Sequence, residues 1–345
     1  MRKGIGLFYL VIFAMILSGC SSEQINGEKE TDRAAYGTKG ETKIVFKLAE
    51  LHGGDYPTSL ANKEFARMVR ERTNGRIQIE EYADGALGEE IDVIEQLQYG
   101  TIGFARVSIA PMAEFSDKLN ALMMPYLYED GVHMWKVLNS SLGAEMLQSV
   151  SAAGMVGLAW YDSGARSFYL KHRIDTLEEL ARLKIRVQTS SLMFAMGETL
   201  GAIPKTIPES QIYMAVQNGT IDGAENNILT YESFAQYEVC KYFILNEHTR
   251  IPDILVGSET ALQNLDKTDM EIIKACAKET QEYERKLWEE SESEARTNLE
   301  KKGVTFVELS EDAKQAFRDA CEPLYLEFAL GYEDIIVAIQ EMADK

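Results

Sequence analysis

The stretch RIQIEEYADGALGEEIDVIEQLQYGTIGFARVS, Arg76–Ser108, decides how the rest of the chain is read. Ile77 and Ile79 fall on one face of a strand, because side chains alternate across a sheet. From Gly88 to Tyr99 the spacing becomes helical, with Ile91, Ile94 and Leu97 on one side. Gly100 stops the helix, since glycine tolerates the left-handed conformation that ends one. Ile102–Ser108 then reads as the next strand. GALGEE follows a strand and opens a helix, where backbone amides can meet an anion, but it lacks the glycine spacing of a nucleotide-binding turn.

The same rhythm extends in both directions. Upstream, KIVFKLAE is a strand, followed by a helix from about Ser59 to Thr73 that Asn74-Gly75 terminates. Downstream, MVGLAWYDS and RSFYL are strands, and Asp175 or Thr176 caps a short helix reaching Arg182. KIRVQTS, Lys184–Ser190, is the next strand, and Pro208 starts a helix running to Gln217. Alternating strands and helices imply an α/β fold, with mostly parallel sheets and helices on both faces. One helix is out of scale. Thr268-Asp-Met-Glu271 has the form of a capping box, and nothing interrupts the pattern before Gly303. At 1.5 Å per residue this helix is ~52 Å long, enough to cross two lobes and tie them together.

Composition excludes several classes of function. The 345 residues carry 35 basic and 55 acidic side chains, a net charge of −20. Nucleic acid is excluded as a partner, because binding it requires a basic footprint. Arg2 and Lys3 precede the apolar run Ile5–Leu17, which is too short to span a bilayer and has the length of a secretory signal. Leu17-Ser18-Gly19-Cys20 resembles a bacterial lipobox, so residues 1–19 are expected to be a lipoprotein signal peptide and Cys20 the lipidated mature N-terminus. Residues 20–43 are polar and aperiodic, as in a flexible tether. The body is then expected at the outer face of the cytoplasmic membrane, or in the periplasm. Cys240, Cys276 and Cys321 remain, an odd number without CxxC spacing, which argues against a disulfide framework or zinc site and leaves one pair possible.

No constellation for catalysis stands out. His52, His133, His172 and His248 lie at no metal-ligand spacing, and GxSxG, P-loop and dinucleotide motifs are missing. The chain therefore reads as a non-enzyme without cofactor or metal. What does stand out is cationic. Arg186 sits inside KIRVQTS on the face opposite Ile185 and Val187, and Arg166 follows the turn that ends the GLAWYDS strand. Ligands of open α/β sheets bind at the carboxyl ends of strands, where Arg166 falls. DGAENN, Asp222–Asn227, concentrates acceptors and amides able to read hydroxyl groups.

GALGEEIDVIEQLQYGTIGFARVS, LMMPYLYEDGVHMWKVL, GARSFY, LKIRVQTS, LGAIPKTIPESQIYMAVQNGTIDGAEN and EVCKYFILNEHTR occur in one order. In that order they resemble the solute-binding proteins of tripartite ATP-independent periplasmic (TRAP) transporters, from Ile44 to the C-terminus. The resemblance implies a two-lobed periplasmic-binding-protein-like fold that closes on a small organic acid. It implies lobes of 44–163 with 252–291 and of 164–251 with 292–345, acting as a monomer that delivers ligand to an integral-membrane permease driven by sodium. Arg186 would grip the ligand carboxylate, Arg166 would be a second cation and Asn226 the contacting amide. Arg182 departs from the family by replacing a glycine, and Gln211 by replacing a glutamate. Glu209 stands where relatives can carry an apolar residue.

Arg106 is expected to add a donor from the first lobe. Glu89, Asp162, Glu209 and Glu225, with Asn227 and His52, form an expected lining that suits hydroxyls better than a second carboxylate. Together with YDSGARSFY and AENN, this resembles the branch that takes hexuronates, D-glucuronate or D-galacturonate. A C4-dicarboxylate or another sugar acid, a sensor for a membrane receptor, and a sugar-acid lyase are the alternatives.

Overall fold

A computed structural model describes residues 43–343; the expected signal peptide, Cys20 and nearly all of the tether lie outside them. Among the described residues eleven strands are formed: β1 (Ile44–Ala49), β2 (Ile77–Tyr82), β3 (Phe104–Ser108), β4 (Met155–Tyr161), β5 (Arg166–Leu170), β6 (Lys184–Val187), β7 (Ile203–Thr206), β8 (Gly223–Asn226), β9 (Tyr242–Thr249), β10 (Asp253–Ser258) and β11 (Thr305–Val307). They assemble into two sheets, ordered β2-β1-β3-β10-β4 and β11-β9-β5-β8-β6-β7. Each sheet is the centre of one lobe.

The sheets are mixed, and the chain path explains why. β1 pairs in parallel with β2 and β3, and β6 with β7 and β8. β4 continues through a four-residue turn into β5 of the other sheet, and β9 continues into β10 in the return direction. A strand arriving from the opposite lobe enters at the end where the parallel strands leave. β5 is accordingly antiparallel to β8 and β9, and β10 to β3 and β4. The carboxyl ends of the parallel strands thus face the space between the sheets.

Most elements follow the sequence reading. Helices span Pro57–Arg72 and Glu90–Tyr99, and Gly100 ends the second at φ 73°. A Cβ there would lie 2.8 Å from Thr260 Cγ2, so conformation and crowding both require glycine. The long helix covers Lys267–Lys301, but its N-cap is Asp266, whose carboxylate accepts from the Asp269 amide, and not Thr268. It packs on Pro57–Arg72 and β4 at one end and on the helix Ile228–Ser233 at the other. Ile273, Cys276 and Ala277 enter the first lobe's core beside Phe104 and Leu255, while Leu299 enters the second beside Tyr169 and Phe243. None of the described helices is long and apolar enough to cross a membrane. Cys240, Cys276 and Cys321 are buried free thiols.

Three local expectations are corrected. The segment after Thr176 makes only a single 3-10 turn, Glu178–Leu180, because Asp175 pairs with Arg173 and does not cap it. Pro208 precedes a 3-10 turn, Glu209–Gln211, and the helix proper begins at Ile212. The terminal helix Glu333–Ala343 packs on the first lobe, where the Ile339 carbonyl bonds His133 Nε2 at 2.9 Å and the Met342 carbonyl accepts from Lys136. The boundary that puts all of 292–345 with the second lobe does not describe that helix.

Candidate functional site

The first lobe brings four segments to the cleft: the chain after β1, the start of the helix Glu90–Tyr99, β3 and the first residue of β10. At their centre is Arg106, fully buried. A guanidinium has five N–H groups. Nε donates to Glu50, Nη2 to Glu50 Oε1 and His52 Nδ1 at 2.6 Å each, and Nη1 to Glu90 at 3.3 Å and Asp253 at 3.1 Å. Five donors meet five protein contacts. The expectation that Arg106 offers a donor to a ligand is therefore corrected: it holds the wall together.

Protonation in this wall follows from the same contacts. Arginine can only donate, so His52 Nδ1 must accept from it, and Nε2 carries the proton toward Thr230 Oγ1 at 3.4 Å. Burial and the Arg106 charge lower the His52 pKa, which keeps the ring neutral despite its 3.0 Å approach to Glu50. Burial alone would raise Glu50, but the charge and hydrogen bonds of Arg106 hold the carboxylate well below its usual range. Asp253 is less well compensated. Burial pushes it up to about 7, with Arg106 opposing and Glu90 and Glu50 adding to the rise.

The second lobe supplies β5, β6, the end of β8 and the turn at Glu209. Arg166 opens β5, where Nε donates to Glu225 at 2.6 Å, Nη1 to Asn226 Oδ1 at 2.8 Å and Nη2 to the Glu225 carbonyl at 2.9 Å. Glu225 is completely buried, and Arg166 and His248 overcome the effect of burial to lower it to about 2. Arg186 donates through Nε to the Ile207 carbonyl and through Nη1 to Glu209, at 2.9 and 2.8 Å. Glu209 also accepts from Asn226 Nδ2 and Gln236 Nε2. Two of the five N–H groups of Arg166 and three of those of Arg186 have no partner among the described residues. Gln188 Oε1, in a side chain lining the same space, is buried without a hydrogen bond.

Contacts across the cleft hold the lobes together. Tyr56 from the first lobe stacks on His52 at 3.9 Å and meets Thr230 Oγ1 at 3.0 Å. Glu89 accepts from Ser210, and Glu114 accepts from the Ser191 amide and hydroxyl. Between the walls lie a cavity of about 20 Å³ touching Arg106, Arg166, Asn226 and Asp253, and a cavity of about 210 Å³ touching Glu89, Arg186 and Glu209. Both are lined by Leu51, Glu90, Gln188 and Glu209.

Arg166, Arg186, Asn226, Glu89, Glu209 and His52 are thus brought together around the cleft. Asn227 faces the cleft too, but its Oδ1 caps the helix Ile228–Ser233 and its Nδ2 bonds Ser163. Asp162 does not line either cavity. Its carboxylate is turned to Trp135 Nε1 and the Gly164 amide, which fixes the crossover from β4 to β5. Gly164 has φ 59°, and a Cβ there would lie 2.7 Å from Glu292 Oε1 on the long helix. The sequence reading missed Glu50, Glu90, Asp253 and Gln188. Each is an ordinary polar residue at a strand or helix end, and only the sheet order 1-3-10 brings the acids to Arg106.

Two α/β lobes joined by crossing strands and a long helix, with a buried polar cleft at the strand ends, define a two-lobed ligand-binding protein. The family model for bacterial extracellular solute-binding proteins, family 7, matches residues 48–331, and the chain belongs to that family. The family consists of binding proteins and not enzymes. A TRAP periplasmic solute-binding protein from Bradyrhizobium sp. BTAi1, solved with α/β-D-galacturonate, shares 37% identity at a TM-score of 0.84, covering 88% of this chain and all of that one. One from Pseudomonas putida F1, solved with D-glucuronate, shares 32% identity at 0.84, covering 86% of this chain and 96% of that one. A solute-binding protein of Chromohalobacter salexigens is 29% identical over 85% of this chain and 87% of its own length.

Proposed function

We propose that the cleft captures a hexuronate, D-glucuronate or D-galacturonate, and that the closed form delivers it to a TRAP permease in the membrane. The observation that carries this reading is the asymmetry of the walls. Unpartnered guanidinium N–H groups lie on the second lobe, at Arg186 and Arg166, while the first lobe presents acceptors. A monocarboxylate with several hydroxyls matches that division. Its carboxylate takes both oxygens to the Arg186 fork, whose planar geometry suits bidentate pairing, with Arg166 and Asn226 beside it. Glu89 and Glu209 then read hydroxyls, while Asn227 and His52 hold the cleft walls in place. The galacturonate and glucuronate in the related structures support this assignment.

Capture works by closure. The lobes hinge where β4 passes into β5 and β9 into β10, and the ligand favours the closed state by touching both walls at once. One chain supplies all the cleft residues, so a monomer suffices. The body is held at the outer face of the cytoplasmic membrane by a lipid on Cys20.

A thermal-shift screen of the mature body against glucuronate, galacturonate, succinate, malate and neutral sugars tests the reading. A ligand at 100 times its Kd adds ~2.7 kcal/mol, a shift of a few degrees in a body of this size. Shifts with one or both hexuronates and none with the C4 acids or neutral sugars are expected. A shift with C4 acids alone overturns the hexuronate assignment.

A further inference from the structure

We infer that Glu90 and Asp253 determine the ligand class, accepting hydrogen bonds from hydroxyls and barring any ligand that brings a second carboxylate to the first lobe. This deepens the hexuronate reading above and rests on it. The argument starts from the saturation of Arg106. Its N–H groups are occupied by Glu50, His52, Glu90 and Asp253, so although it lines the smaller cavity none of its donors is left for a ligand. Glu50 is likewise enclosed, accepting also from Thr58, Asn62 and the His52 amide.

Glu90 and Asp253 are different. Glu90 Oε1 accepts from the Ser108 amide and Arg106, and Asp253 Oδ2 from Arg106, while each residue's other oxygen has no hydrogen bond among the described residues. Both residues line the cavity that Arg166 and Asn226 enter from the opposite side. Gln188 Oε1, more than nine-tenths buried and unpartnered, adds another acceptor nearby. A carboxylate placed on this wall would face Glu90 and Asp253 and would add its charge to a group of acids outnumbering their arginine. A hydroxyl finds bonds to charged acceptors, the stronger kind. The arginines therefore select for one carboxylate, and the acids select against two.

Isothermal calorimetry at pH 8, above the value of about 7 reached by Asp253, tests this with galacturonate, glucuronate, galactarate and succinate. Galactarate keeps the hydroxyl pattern of galacturonate's chain and adds a second carboxylate. The wild type is expected to bind a hexuronate at least 100-fold more tightly than either dicarboxylate. Asp253→Asn and Glu90→Gln should each weaken the hexuronate by about 10- to 100-fold and bring galactarate to within tenfold of it. Glu90, at the start of a helix and partly exposed, keeps the test available if Asp253→Asn does not fold. Folded variants that hold the hexuronate within threefold of wild type and still reject galactarate overturn the inference. So does a loss for the hexuronate without any gain for galactarate, which disorder of the cleft would also produce. A wild type that binds galactarate as tightly as a hexuronate overturns the inference alone, and one that binds no hexuronate overturns the hexuronate reading as well.

Discussion

The two walls of the cleft hold the same side chain in opposite conditions. Arg106 in the first lobe and Arg186 in the second are both strand residues and both about 95% buried or more. Arg106 meets three carboxylates and a histidine, and every N–H it has is engaged. Arg186 meets one carboxylate among the described residues, lines the larger cavity, and keeps three N–H groups without a partner there. A buried arginine is therefore a ligand clamp only where the protein leaves part of it unpaired. The other kind is a scaffold that sets the position of acids.

The largest effect that would break this comparison is on binding. Arg186→Ala should cost ~2–5 kcal/mol of hexuronate affinity, much of it from leaving a charge buried without its partner. Calorimetry checks this, and affinity within threefold of wild type would show that Arg186 is not the clamp. Arg106→Leu should act on folding instead. Removing one partner of a buried ion pair costs ~3–5 kcal/mol, which lowers the melting temperature by about 10 °C in a body of this size. A melting temperature unchanged within 2 °C would contradict the scaffold role.

The acids of the first wall make a further difference measurable by pH. Asp253 is raised from 3.8 to about 7 in the folded state by burial. A raised carboxyl stabilises the fold fully below its unfolded value and loses that contribution as pH rises through the folded one. Glu284, raised by burial and by Asp162, acts in the same sense. Glu50 and Glu225 act oppositely: their depressed values stabilise the fold above about 4.5, and that contribution is lost as the pH falls toward 2. From these four groups the melting temperature should peak near pH 4.5 and decline through pH 7 toward pH 8. Asp253→Asn should flatten the decline; a variant with the wild-type slope would assign it to other groups. The smallest effect lies outside both walls. Arg182 has φ 65°, a left-handed position, so Arg182→Gly should gain up to ~1 kcal/mol and a few degrees of melting temperature without moving affinity. A change in hexuronate affinity would place that turn in the binding machinery.

Much of this was legible from local patterns. The period-two and period-3.6 signals located β1 to β6 and the helix Lys267–Lys301, because each depends on residues adjacent in sequence, while the short or interlobe strands β7 to β11 were not read. Arg166, Arg186 and the amides of DGAENN stand out in the sequence as charge and polarity beside apolar strands, and the family resemblance alone implied that they share one cleft. Strand direction was not legible, since whether β5 and β10 run against their neighbours depends on which lobe the chain has come from. Asp162 was misjudged for a related reason. In sequence it adjoins Arg166, yet its carboxylate faces Trp135, which belongs to a helix far earlier in the chain.

The α/β class, the family, the binding role and three arginines at strand positions can all be read without the fold. The fold class follows from local periodicity and the arginines from residue types that are costly to bury, while the family and the binding role come from the resemblance of whole stretches in their order. Only the tertiary structure decided which arginine is free. Glu50, Glu90, Arg106 and Asp253 come from four separate segments and meet only when β1, β3 and β10 lie side by side. A guanidinium has five donors, and whether a ligand can use any of them depends on how many the folded chain has already taken.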